Sequence, residues 1–68
     1  MQDVFDPKKL RAARERSGLG QAELARKVGV TPLTWWRWER GVVGPAGPRK
    51  KKKVAKALGV DLDSLVKR

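Results

Sequence analysis

Thr31 to Gly41 read TPLTWWRWERG, so the three tryptophans of the chain fall within four consecutive residues, beside Arg37, Glu39 and Arg40. Guanidinium groups fork onto phosphates and guanine edges, while indoles stack, fill cores or donate a single N–H. That is chemistry for holding a flat or anionic partner. Turnover has little to work with, because histidine and cysteine are both absent. The carboxylates Asp3, Asp6, Glu15, Glu23, Glu39, Asp61 and Asp63 are scattered or sit at structural positions, and no phosphate loop joins them. No enzyme, metal site, cofactor or small-molecule substrate is expected.

A helix advances about 100° per residue, so Trp35 and Trp38 share one face of this stretch. Trp36 and Arg37 point elsewhere, in company with Pro32, Leu33 and Arg40. The first face is expected to anchor a core and the second to meet a partner. Seventeen Lys+Arg against seven Asp+Glu give a net charge of +10, a field that draws polyanions before any specific contact forms. Nucleic acid is the leading partner, although an acidic protein or an anionic membrane surface would satisfy the same charge.

Sixty-eight residues predict one domain spanning 1–68, held together by packing alone. No apolar run nears the roughly 20 residues of a membrane span, and MQDVFDPKK lacks the order of a signal peptide, so a cytoplasmic location is expected.

The elements that must position the tryptophans are short helices separated by glycine or proline, with no strand. Asp6-Pro7 starts the first, which runs to Gly18; Leu10 and Ala13 point inward. The second covers about Gln21 to Lys27 and ends at Gly29, with Ala22, Leu24, Ala25 and Val28 apolar. Thr31-Pro32 caps the third, Pro32 to about Arg40, which Gly41 stops. After the loop GVVGPAG, Pro48 opens a fourth helix to Gly59, and LDSLVK forms a fifth, with Leu62, Leu65 and Val66 on one side. The fold class predicted is all-α, a compact five-helix domain.

A helix ending in glycine, a short turn and a second capped helix outline a helix-turn-helix, made here by helices two and three. The stretch LGQAELARKVGVTPLTWWRWERG, with ALGVDLDSLV further on, resembles the phage repressor and Cro helix-turn-helix family, also called the XRE family, from Leu10 to Val66. The resemblance implies a lambda-repressor-like domain that inserts helix 32–40 into the major groove of double-stranded DNA. It implies that Gln21 holds a phosphate and braces a base-reading side chain, that Ala25 permits close helix approach, and that Gly29 turns with positive φ. It implies core positions at Leu24, Ala25, Val30, Trp35, Trp38 and Leu58, and a partly buried Arg14–Glu39 pair; a surface pair worth under about 1 kcal/mol is the other reading.

Thr31, Pro32, Leu33 and Arg37 match the base-facing positions of that family. Pro32 and Leu33 cannot hydrogen-bond a base through their side chains, so Leu33 is left a thymine methyl and Arg37 becomes the main reader of guanine. Modest direct readout is expected, with shape and phosphate contacts carrying more of the selection. Arg40, Arg49, Lys50 and Lys53 are expected on the DNA backbone. Trp36 has three readings: a phosphate or sugar contact, a half-exposed ring closing over helix two, or a dimer contact. Lys50 and Lys51 stand where the family buries large apolar groups, which suggests stems that snorkel over the tryptophans or a charged partner.

The function expected is a sequence-specific DNA-binding transcriptional regulator of the Cro or repressor kind, with a homodimer that is weak or assembled only on DNA. The alternative is a DNA-binding antitoxin or a protein-interaction adaptor that uses the glycine-rich loop with Val42 and Val43.

Overall fold

Four of the expected helices form, each ended by a left-handed glycine, and the first and third are also capped by a side chain at the start. The computed structural model describes residues 4–67; residues 1–3 and 68 of the predicted 1–68 domain lie outside the described residues. The order is β1 (Val4–Phe5), α1 (Pro7–Ser17), α2 (Gln21–Val28), α3 (Pro32–Arg40), α4 (Gly47–Leu58), a 3-10 turn (Leu62–Leu65) and β2 (Val66–Lys67).

Asp6 Oδ1 accepts from Lys8 N at 2.9 Å, with Pro7 opening α1 where no backbone donor is needed. Thr31 Oγ1 accepts from Thr34 N at 3.2 Å and starts α3 in the same manner. Gly29 ends α2 at φ 90, and the next amide, Val30 N, reaches back to Ala25 O at 2.8 Å. This leaves only Gly29, Val30 and Thr31 between α2 and α3.

The core gathers one face of every helix. Trp35, Leu10, Leu24, Leu65 and Val54 are fully buried, joined by Ala13, Ala25, Val28, Trp38, Ala55 and Leu58. Val30, expected in the core, is only partly buried and packs on its rim; Ala22, expected in the apolar set of α2, is exposed. α2 packs against both α3 and α4, and α1 closes over α3.

The fifth helix is the correction to the expected fold. Leu62–Leu65 makes a single 3-10 turn, and Val66 is already extended at φ −114, ψ 154. Four residues are too few to repay helix nucleation, and a strand partner competes for the backbone. β2 pairs antiparallel with β1, Phe5 opposite Val66 and Val4 opposite Lys67. Asp6 N donates to Leu65 O at 2.8 Å, and Lys9 Nζ donates to Val66 O at 2.9 Å, so the two ends of the described chain lie side by side. Among the described residues no helix is long and apolar enough to cross a membrane.

Gly41 ends α3 under two constraints. Its φ is +77, and a Cβ there would stand 3.1 Å from Pro7 Cγ, because the start of α1 packs on this corner. Gly59 has φ +71 but open space around it. Gly41→Ala is therefore expected to cost at least the roughly 1–2 kcal/mol of a left-handed alanine, lowering Tm by several degrees. Gly59→Ala should cost less, and a thermal melt of the two variants compares them directly.

Candidate nucleic-acid interface

α3 divides its side chains as its spacing requires. Trp35 is fully buried and Trp38 is 3% exposed, their rings tilted at 52° with centroids 5.5 Å apart. Opposite them Leu33 is 53% and Trp36 40% exposed, and Arg37 and Arg40 are exposed beside them. Two rigid indoles thus fix the roll of α3 and turn Leu33, Trp36, Arg37 and Arg40 outward together.

Glu39 sets the remaining freedom of this helix. Its carboxylate accepts from Arg14 Nε at 2.5 Å, Arg14 Nη2 at 3.2 Å, Gln21 Nε2 at 3.1 Å and Trp35 Nε1 at 2.6 Å. The Glu39 side chain is 5% exposed and that of Arg14 18%, so this is the partly buried pair, not the surface one. One carboxylate therefore joins α1, the start of α2 and the core side of α3. Burial by itself would push the Glu39 carboxyl up. The hydrogen bonds from Arg14, Trp35 and Gln21 outweigh that and hold it below the usual glutamate value. The hydrogen bond it donates to Glu39 raises Arg14 in turn, against its own desolvation.

The Gln21 amide, expected on a phosphate and a base-reading side chain, donates to Glu39. The sequence carried the Trp35–Glu39 link as an i, i+4 spacing, but nothing in it said that the indole N–H would need an acceptor inside the domain. The Thr31 hydroxyl is also partly engaged, 2.9 Å from Thr34 Oγ1 as well as capping α3. Pro32 is exposed at the same end of the helix.

Trp36 lies under a cation, with Arg40 Cζ 4.9 Å from its ring centroid. The pair is another i, i+4 spacing and keeps both groups extended along the outward face. Trp36 and Arg40 border an open polar groove of about 490 Å³ together with Arg11, Arg14, Gln21 and Glu39.

A family model described as a helix-turn-helix domain matches residues 8–67. The chain belongs to the helix-turn-helix domain family. Among solved structures, this helix-turn-helix domain is similar to the P22 c2 repressor protein in complex with synthetic operator 9T. The identity is 31%, the TM-score 0.82, and the match covers 90% of this chain and 91% of that one. It is likewise similar to the solution structure of the DNA-binding domain of the P22 c2 repressor, at 30% identity and TM-score 0.80, covering 93% of this chain and 82% of that one. Both likenesses bear out the resemblance to phage repressors. A comparison with curated proteins finds no match.

In this helix-turn-helix domain the motif helices are α2 and α3, with Gly29-Val30-Thr31 as the turn. The cations of α4 separate into two sets. Lys50 and Lys51 are half-buried, and Lys51 borders an open groove of about 420 Å³ with Phe5, Pro7, Trp38 and the loop from Gly41 to Pro45. Arg49, Lys52, Lys53 and Lys56 are exposed. Of the backbone contacts expected from the sequence, Arg40 and Trp36 stand together on α3, Gln21 faces Glu39, and Arg49 and Lys50 lie in the first turn of α4. Lys53 sits one turn further along, away from the core.

Proposed function

We propose that this helix-turn-helix domain is a sequence-specific regulator of transcription that binds double-stranded DNA with α3 in the major groove. The observation that carries the reading is the outward face of α3, held in place by two buried indoles and by Glu39. Leu33 packs on a thymine methyl and Arg37 takes the N7 and O6 of a guanine. Thr31 and Pro32 fit against the base edges at the start of the helix. Trp36 and Arg40, with Gln21, Arg49 and Lys50, serve the phosphates and set the register. The domain acts as a repressor of the Cro kind, in the cytoplasm and without catalytic activity, by occupying an operator; any dimer is weak and forms on the DNA. The similar P22 c2 repressor, solved with a synthetic operator, supports this reading.

Selection of bound sequences from a random duplex pool is expected to return a short site containing guanine. Arg37→Ala should then weaken binding to that site by about 1–3 kcal/mol, roughly 5- to 150-fold, and relax selection at that base pair alone. A variant that kept wild-type affinity and selectivity would remove Arg37 from the base edges.

The exposed Val42 and Val43, 65% and 52% accessible, favour a second reading as an antitoxin or adaptor that docks a protein through this loop. Failure of the selection to enrich any sequence would turn attention to it.

A further inference from the structure

We infer that the domain recognises the C5 methyl group of a pyrimidine and not thymine as such, so that C5 methylation of a cytosine standing in the place of that thymine strengthens binding. With α3 in the major groove as proposed above, on which this inference rests, the outward face of the helix decides which base edges it can tell apart. Its side chains are Pro32, Leu33, Trp36, Arg37 and Arg40, all exposed. They offer hydrocarbon and N–H donors and not one acceptor. The carboxylate of α3, Glu39, is turned inward and accepts from Arg14, Gln21 and Trp35. The hydroxyls of Thr31 and Thr34 lie 2.9 Å apart, and Thr31 Oγ1 also caps Thr34 N. The amines that mark cytosine and adenine in the major groove are read by acceptors such as Glu, Asp, Asn and Gln, and this face presents none of them.

The donors are committed as well. Arg37 fills both N7 and O6 of a guanine, and Arg40 Cζ lies 4.9 Å from the Trp36 ring centroid. Leu33 and Arg37 stand at i and i+4, about 5–6 Å apart at Cβ, whereas bases stack about every 3.4 Å along a strand. Their tips therefore meet base pairs one or two steps apart. Leu33, flanked in sequence by Pro32 and followed one turn later by Trp36, meets its pyrimidine with hydrocarbon alone. Such a contact gains from a methyl at C5 and is blind to whether C4 carries the oxygen of thymine or the amine of cytosine. Thymine and 5-methylcytosine present that methyl; uracil and cytosine do not. Burying one such group is worth about fourfold in affinity.

The test titrates the full chain against duplexes built on the selected site. The guanine is located as the base pair at which Arg37→Ala relaxes selection. Thymines near it are replaced one at a time by uracil, and the same positions are also made cytosine and 5-methylcytosine opposite guanine. At one position, loss of the thymine methyl should weaken binding about fourfold, and methylation of the cytosine should strengthen it by the same factor. Leu33→Ala should respond to neither methyl while still preferring the guanine. Leu33 is more than half exposed, so this variant should keep the wild-type urea midpoint. A methyl that counts on thymine but not on cytosine would mean that C4 is read too, and would overturn the inference while leaving α3 in the groove. Methyl effects that survive Leu33→Ala would belong to DNA shape and overturn it equally. Wild-type affinity for the selected duplex in Leu33→Ala/Arg37→Ala would instead take α3 off the bases, and the inference would fall with that reading.

Discussion

Trp35→Ala is expected to leave the domain largely unfolded. The residue is the largest fully buried side chain, it packs on Trp38, and its indole N–H is one of the donors to Glu39. Truncating a buried tryptophan costs about 3–5 kcal/mol, and here a partly buried carboxylate also loses a hydrogen bond. A domain of this length has only roughly 3–10 kcal/mol of stability to lose. Helical circular dichroism at 25 °C and a urea titration should therefore find little or no native baseline. Trp35→Phe keeps a ring but not the N–H, and should fold with a lowered urea midpoint. Trp36→Ala, two-fifths exposed in the wild type, should unfold near the wild-type midpoint. The contrast between neighbouring tryptophans tests the division of α3 into an anchoring and an outward face.

Glu39→Ala is expected to have the next largest effect. It strands the Arg14 guanidinium, the Gln21 amide and the Trp35 indole around one vacated position. Removing one member of a partly buried pair while its partner stays charged costs roughly 2–4 kcal/mol here, below the full buried-pair figure because Arg14 keeps some contact with water. The effect has a pH signature. The folded carboxyl titrates below its ordinary value of 4.5, so between the two values the unfolded chain binds more protons and stability rises with pH. The contribution of Glu39 is complete above the ordinary value and drains away as pH falls through the folded one. Urea midpoints of the wild type and Glu39→Gln should differ most near pH 7 and converge in acid. A gap that stayed constant across that range would mean the charge of Glu39 contributes nothing to the fold.

The helices were legible because their ends are spelled in local chemistry. Asp6-Pro7 and Thr31-Pro32 satisfy the first backbone donors, and Gly18, Gly29 and Gly41 adopt the left-handed conformation that ends each helix. The anchoring tryptophans followed from spacing alone. The β1–β2 pairing did not, since two residues at each end carry no alternating pattern and their pairing depends on where α1 and the 3-10 turn bring them. Gln21 and Glu39 illustrate the same limit at the site. Sequence separation hides that three helices converge on one carboxylate, and only packing decides which donors reach it. Val30, a core position by resemblance, stays on the rim because it directly follows the turn at Gly29.

Isotope-filtered NMR of the domain bound to its selected duplex bears most directly on the central claim. Contacts are expected between the Leu33 methyls and thymine methyl or other major-groove protons, with the Arg37 side chain near a guanine and the Trp35 and Trp38 indoles showing protein contacts only. Contacts from these indoles to DNA, or a Leu33 methyl with no nucleotide neighbour, would contradict the account.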